Sequence, residues 1–179
     1  LGTDQADVSM LAPWLVMDRF TLFFNTLLPF GAALVCLLAG GYLEEHRLQR
    51  GEFYMLIFFT TLGAMFLAAS GDGLSLTLGL ETMSIGAYAL TAFRRTSIRS
   101  VEAGLKYFLL GAFAAATFLF GAALVYTGTG TVTFARMNPA DLSSPLVMVG
   151  AALVAASLFF KVSVFPFHLW VPDVYQGAP

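Results

Sequence analysis

Residues 20–42 read FTLFFNTLLPFGAALVCLLAGGY, an apolar run without one charged side chain. The hydrocarbon core of a bilayer is about 30 Å thick, so a helix that crosses it needs about 20 mainly apolar residues. Four further apolar runs follow, near residues 53–70, 74–93, 106–126 and 146–167. The sequence therefore predicts an all-α integral membrane protein with about five transmembrane helices.

The composition supports the same conclusion and excludes a water-soluble domain. Hydrophobic residues make up 58% of the chain and charged residues 11%, and the mean hydropathy is +0.80. A soluble domain has about 25% charged residues, so lipid must solvate much of this surface. No basic cluster suits nucleic acid. The only cysteine, Cys36, excludes a disulfide framework or a thiolate cluster for a metal.

The chain divides into three parts. We expect an extramembrane N-terminal segment at residues 1–19, a transmembrane bundle at 20–170 and a cytoplasmic-side connector at 171–179. The connectors within the bundle are a charged stretch at 43–52, a tight turn at 71–73, a third stretch at 94–99 and an aqueous loop at 128–145. Neither end resembles a natural terminus and no signal-peptide pattern is present, so we expect a longer parent protein.

Arginines in the connectors predict the orientation, because Lys and Arg in short loops favour the cytoplasmic side. The arginines of the expected inner side are Arg47, Arg50, Arg94, Arg95 and Arg99. Only Arg19 and Arg136 fall on the other side. The first span is therefore predicted to run inward. Small residues at 112–116 and 151–156, with Gly111 and Gly121, predict close contact between helices.

Three charged residues lie where charge is costly. Glu81 is inside the third span, Lys106 opens the fourth and Lys161 is inside the fifth. A charge at the centre of a membrane helix costs about 2.5–3.5 kcal/mol on insertion scales, and its usual role is in an ion or proton path. The alternative for Glu81 is a neutral carboxyl that hydrogen-bonds across a helix interface. For Lys106 it is an ion pair with Glu102, four residues earlier.

A proline follows Lys161 and predicts a helix break beside it. The ring of Pro166 would clash with the carbonyl group four residues earlier, and a broken helix at membrane depth must be buried in protein or line a cavity. His168 follows the break and could pass a proton. A structural role at the interface remains the alternative, because the neighbouring Trp170 suggests an interfacial aromatic belt.

Whether Glu81 and Lys161 meet is left open by the sequence. Counted from the expected span ends, Lys161 lies about 22 Å and Glu81 about 10 Å from the outer surface. Their pairing is therefore a hypothesis. A lysine near a span end can also reach the interface with its long side chain.

Five motifs resemble a known family: GLETMS at residues 79–84, LKYFLLG at 105–111, and FK, PFHLW and PDVYQGAP between 160 and 179. They resemble the antiporter-like membrane subunits of respiratory complex I, the proton-pumping NADH:quinone oxidoreductase. The closest resemblance is to the N-type subunit, called chain 2 in mitochondria. PDVYQGAP is the most specific motif, since the L-type, M-type and Mrp sodium/proton antiporter subunits typically have a histidine after Pro-Asp-Ala.

The resemblance implies a fourteen-helix fold with two inverted five-helix repeats. By motif, Glu81 matches the glutamate of the family's fifth helix, Lys106 a lysine of the sixth and Lys161 the lysine of the broken seventh. The family's first helices, its eighth-helix lysine and its second repeat have no counterpart here, so this stretch alone could not complete a path across the membrane.

The implied function is that of a proton-translocating, non-redox subunit of NADH:quinone oxidoreductase in the bacterial inner membrane or its mitochondrial or plastid equivalent. FMN, iron–sulfur clusters and quinone are expected in partner subunits and no cofactor in this chain, with M-type and K-type neighbours. Two alternatives stay open. One is a subunit of an Mrp-type sodium/proton antiporter, and the other is a structural subunit whose buried charges only set helix register.

Overall fold

The computed structural model describes residues 11–48, 50–138, 141 and 143–179, and this part of the chain is helical without a β-strand. Its α-helices are α1 Arg19–Glu45, α2 Arg50–Ala68, α3 Gly73–Thr91, α4 Ile98–Thr129, α5 Pro145–Lys161 and α6 Val171–Gly177. A 3-10 turn, Phe134–Arg136, lies between α4 and α5. Residues 1–10 of the expected N-terminal segment and residues 139, 140 and 142 of the expected aqueous loop lie outside the described residues.

Five of these helices fall on the five expected spans. By length and composition three segments are able to cross a membrane: Arg19–Glu45, Gly51–Ala68 and Ile98–Thr129. The apolar helix Pro145–Lys161 is shorter. Helix α3 has 19 residues but is more polar, and it buries serine, threonine and tyrosine side chains against its neighbours. The all-α membrane fold is thus confirmed.

The helices pack largely in chain order. Helix α1 packs on α2, α2 on α3 and α3 on α4, while α4 also contacts α5 and α6. Little of α1 is buried, in keeping with an apolar helix that faces lipid or further protein. One face of α3 is packed against protein and carries its buried serine, threonine and tyrosine side chains, whereas Leu74, Leu78 and Ile85 are exposed on the other face.

The turn between α2 and α3 is tight, as expected. Asp72 is 2% exposed and caps α3. Its side chain accepts a hydrogen bond from the Ser75 backbone N–H at 2.7 Å, and the Ser75 hydroxyl accepts one from the Asp72 backbone N–H at 3.3 Å. This reciprocal pair satisfies two backbone donors at the start of the helix. Residues 11–16 lie beside the turn, with the Gly71 N–H donating to the Trp14 carbonyl at 2.7 Å.

Helix α4 begins eight residues before the expected span. Ser97 caps it, accepting from the Ser100 backbone N–H at 3.4 Å. The expected connector at 94–99 is therefore partly helical, and Glu102 and Lys106 share the first turns of α4. Hydropathy predicts only the apolar part of this helix, because the polar residues of its first turns are helical as well but do not add to an apolar run.

Small residues bring α4 and α5 together, as their composition predicted. A Cβ added to Gly121 would lie 2.7 Å from the Gly150 carbonyl oxygen, and one added to Gly150 would lie equally close to the Gly121 carbonyl oxygen. Such a spacing is closer than real Cβ atoms permit, so the crossing requires glycine on both helices. Ser157, 3% exposed, adds a hydrogen bond across it to the Ala114 carbonyl at 2.7 Å.

Helix α5 ends at Lys161, earlier than the predicted span end at Phe167. Ser163 takes a left-handed conformation with φ 60°, and its N–H donates to the Phe160 carbonyl at 3.1 Å. The Val164 N–H donates to the Phe159 carbonyl at 3.0 Å, which completes a Schellman motif. The helix thus ends before the Val162 carbonyl that the ring of Pro166 would have met. Pro166 itself is exposed in the following turn.

Beyond the turn, the chain forms another short helix. The predicted connector at 171–179 is helical over Val171–Gly177, and this helix, α6, packs back onto α4. Contact is close because Gly177 lies against Ala103 without space for a Cβ. The break therefore returns the chain to the bundle instead of leading it away.

Candidate functional site

The ammonium group of Lys161 is held among three side chains of α3. Its Nζ lies 2.8 Å from Ser84 Oγ, 3.2 Å from Tyr88 Oη and 3.4 Å from Glu81 Oε1. The Lys161 side chain is 11% exposed and that of Glu81 is 29% exposed. A lysine ammonium carries three donors, so each proton has an oxygen within reach.

The three partners lie on one face of α3 because of their spacing. Glu81, Ser84 and Tyr88 stand at positions i, i+3 and i+7, which are neighbours on a helix surface. Ser84 is 3% and Tyr88 6% exposed. Sequence reasoning singled out the glutamate alone. The signal for the other two was present, since a helical face drawn through Glu81 passes through both hydroxyl residues.

The structure brings Glu81 and Lys161 together. Their estimated depths below the outer surface had left this contact open. Counting compared Cα positions along two helices, whereas the contact is made by the end of a long side chain. In a helix the Cα–Cβ bond leans toward the N-terminus. The lysine stem spans about 6 Å, roughly four residues of helical rise, and so accounts for about half of the depth difference of about 12 Å.

The local electrostatics favour a positive charge at this position. Lys161 is the last residue of α5, and the aligned peptide dipoles of a helix give its C-terminal end a partial negative charge. At 3.4 Å, the Coulomb attraction between the Lys161 and Glu81 charges is about 5 kcal/mol for an effective dielectric of about 20. Loss of water from both groups opposes this attraction.

Glycine also shapes the site. The Tyr88 hydroxyl lies against Gly111 of α4, where a Cβ would overlap the phenol oxygen. Sequence reasoning named Gly111 only as a small residue for helix packing. The space beside Gly111 is occupied by the Tyr88 hydroxyl, which contacts Lys161.

Lys106 belongs to a separate cluster. Its Nζ lies 2.8 Å from Glu102 Oε1 on the same helix and 2.9 Å from Asp173 Oδ2 of α6. The pairing with Glu102 that was left open is therefore formed, and Asp173 of the PDVYQGAP motif is a partner that the sequence did not indicate. All three side chains are about half exposed. Neither carboxylate is a partner of Lys161.

His168 is half-buried in the turn after α5, with its ring 5.5 Å from that of Phe165. Its Nδ1 is buried and has no hydrogen-bond partner among the described residues. The structure does not place its ring among the partners of Lys161 or Lys106. A role in proton transfer stays a prediction.

Trp170 is not a free interfacial residue. It is 8% exposed, its ring stacks on Tyr107 at 4.6 Å between centroids with an angle of 7°, and its Nε1 donates to the Phe160 carbonyl at 3.1 Å. The indole is thus part of a buried aromatic stack, and its place in an interfacial belt stays a prediction. The indole is buried because it packs between Tyr107 of α4 and Phe160 of α5.

Comparison with known proteins gives the same family as the motifs. Residues 70–179 match the family described as NADH:quinone oxidoreductase/Mrp antiporter, transmembrane. NADH-quinone oxidoreductase subunit N 1 of Sorangium cellulosum is 60% identical over 177 residues, which cover 94% of this chain and 35% of the relative. The chain thus spans about a third of the length of the curated relatives it matches.

Two solved structures have the same fold. Respiratory complex I from Thermus thermophilus with bound aureothin contains a chain that is 37% identical, with a TM-score of 0.71; the match covers 97% of this chain and 39% of that one. The Mrp complex from Dietzia sp. DQ12-45-1b contains one that is 28% identical, with a TM-score of 0.76 and coverage of 92% and 31%. The resemblance inferred from the motifs is confirmed.

The matched region contains the whole site. Glu81, Ser84, Tyr88 and Lys161 all fall within residues 70–179, as do Lys106 and His168. With its apolar helices and bacterial relatives, the protein is placed in the bacterial inner membrane. The chain therefore belongs to the NADH:quinone oxidoreductase/Mrp antiporter transmembrane family.

Proposed function

We propose that this chain is part of a proton-translocating membrane subunit of an NADH:quinone oxidoreductase and that Lys161 is its proton-exchanging group. The observation that carries the proposal is the contact of the Lys161 ammonium with Glu81, Ser84 and Tyr88 at the end of α5. The break supplies a place where water or a neighbouring group can approach the lysine.

The proposed cycle moves one proton at Lys161 Nζ. With the Glu81 carboxylate close by, the lysine holds its proton as an ammonium ion. When the two separate, the Coulomb attraction of about 5 kcal/mol is lost, and Nζ releases the proton to water or to the next group. Ser84 and Tyr88 suit both states, because a hydroxyl accepts a hydrogen bond from the ammonium and donates one to the neutral amine.

The size of this attraction is adequate for work against a membrane potential. Moving one elementary charge across 100 mV requires about 2.3 kcal/mol. The Coulomb attraction of about 5 kcal/mol between the paired charges is larger than this amount before hydration of the separated charges is subtracted.

The remaining parts of the activity are proposed to lie in other chains. Redox chemistry with FMN, iron–sulfur clusters and quinone belongs to partner subunits, with M-type and K-type membrane subunits as neighbours. The relative from Sorangium cellulosum is named a subunit of NADH-quinone oxidoreductase, and the Thermus thermophilus neighbour is a chain of respiratory complex I. Both names support assembly with other membrane subunits.

The test is Lys161→Ala in the full-length protein within its assembled complex. After reconstitution into vesicles, NADH-driven proton uptake and quinone reduction are measured together. We expect proton uptake coupled to quinone reduction to fall at least about tenfold, the effect of about 1.4 kcal/mol. Arg136→Ala is the matched control, since Arg136 is an exposed cation outside the site. Near-normal pumping by the Lys161 variant would reject the assigned role.

An Mrp-type sodium/proton antiporter is the second candidate, favoured by the TM-score of 0.76 to a chain of the Dietzia Mrp complex. Sodium-dependent proton exchange by the full-length protein, measured in vesicles without any electron donor, would support it. A structural role is tested by neutralising Glu81 and Lys161 together as Gln and Met. Pumping that survives this double change would mean that the pair only stabilises helix packing.

A further inference from the structure

A chain of aromatic rings connects the Lys161 site with the segment after the helix break. Tyr107 of α4 lies at its centre: its ring contacts Tyr88 edge-on at 4.6 Å between centroids, and Trp170 stacks on it at 4.6 Å. Tyr88 is 6% and Trp170 8% exposed, so both neighbours of Tyr107 are enclosed. None of the sequence motifs indicated that these three rings meet.

The chain of rings returns to Lys161 at both ends. At one end the Tyr88 hydroxyl lies 3.2 Å from Lys161 Nζ. At the other, Trp170 Nε1 donates to the carbonyl of Phe160, the residue before Lys161, at 3.1 Å. The lysine is thus held through its ammonium group and through the last turn of its own helix. A shift of Trp170 would act on both contacts.

The geometry limits how Tyr88 can move. Its hydroxyl lies against Gly111, and its ring has the edge contact with Tyr107 at an angle of 83°. Aromatic pairs prefer such edge-to-face arrangements and resist rotation away from them. Without Tyr107, the Tyr88 ring would gain rotational freedom and its hydroxyl would contact Lys161 for a smaller part of the time.

The segment after the break is itself attached to the same helix as Tyr107. Asp173 of α6 pairs with Lys106, the residue before Tyr107, at 2.9 Å. Movement of α6 therefore acts on the ring stack through Trp170 and on the start of α4 through Asp173. Both connections meet at two adjacent residues of α4.

We propose that Tyr107 and Trp170 are positioning residues for Lys161, which hold the Tyr88 hydroxyl on the ammonium group and transmit the position of α6 to it. This inference rests on the proposed function. Neither ring exchanges a proton in it. Their contribution is the orientation of Tyr88 and of the last turn of α5.

The test is a double-mutant cycle between Tyr107 and Tyr88 in the assembled complex, with NADH-driven proton uptake as the readout. We expect Tyr107→Leu to lower proton uptake by about two- to tenfold, the range that corresponds to one aromatic pair. Tyr107→Phe keeps the ring, so its proton uptake should stay near normal. In a Tyr88→Phe background, Tyr107→Leu should have no further effect, because the hydroxyl it positions is gone.

The controls separate this inference from the proposed function. Tyr126→Leu removes a tyrosine that is 53% exposed near the other end of α4, and it should leave uptake unchanged. If Tyr107→Leu reduces assembly, Tyr107→Met replaces it as an unbranched side chain in the same cycle. Full additivity of the Tyr107 and Tyr88 effects would overturn the positioning role. Normal uptake by Lys161→Ala would instead overturn the proposed function itself.

Discussion

Replacing Glu81 with Gln removes the carboxylate that lies 3.4 Å from Lys161 Nζ and keeps the size of the side chain. The Coulomb attraction of about 5 kcal/mol is an upper limit for its effect, because the Glu81 side chain is 29% exposed. Ser84 and Tyr88 also keep their contacts with the ammonium. A hydrogen bond to a charged group contributes about 1.5–3 kcal/mol. We therefore expect the rate of proton uptake to fall by about 10- to 100-fold.

The assay compares proton uptake with quinone reduction in vesicles that contain the assembled complex. Glu52→Gln is the matched control: Glu52 pairs with Arg95 at 2.7 Å, closer than Glu81 is to Lys161, but the two side chains are 52% and 77% exposed. Exposed pairs are screened by water and salt, so this control should pump normally. Equal effects of the two substitutions, or normal pumping by Glu81→Gln, would refute the reasoning that burial makes the Glu81 charge effective.

Three further predictions concern contacts around and beyond this pair. Tyr88→Phe removes one acceptor from the ammonium of Lys161 and should slow proton uptake about tenfold, whereas an unchanged rate would show that its hydroxyl is dispensable. Gly121→Ala should lower the stability of the full-length protein by about 1–3 kcal/mol through overpacking, seen as a lower Tm than for Gly31→Ala, where a Cβ meets no atom within 4 Å. Lys106→Ala should reduce pumping less than Lys161→Ala, because its carboxylate partners are about half exposed; an equal loss in the same uptake assay would assign it a direct part in transfer.

Much of the candidate site could be predicted from residue chemistry and order. Glu81 and Lys161 are costly in an apolar helix, and Pro166 predicts an interruption of the helix near the lysine. These inferences need only the position of a residue along one helix. They left out Ser84 and Tyr88, which share the helical face of Glu81, because hydroxyl residues are common in membrane helices and do not by themselves identify a site.

The chain by itself determined that this protein is a bundle of apolar helices with a few charges inside it, since hydrophobic length and the cost of buried charge are local properties. Only the tertiary structure decided which side chains meet. Contact between α3 and α5 depends on the rotation of each helix about its axis and on the reach of a lysine side chain. The burial of Trp170 depends on its packing between Tyr107 of α4 and Phe160 of α5. No single segment specifies this arrangement.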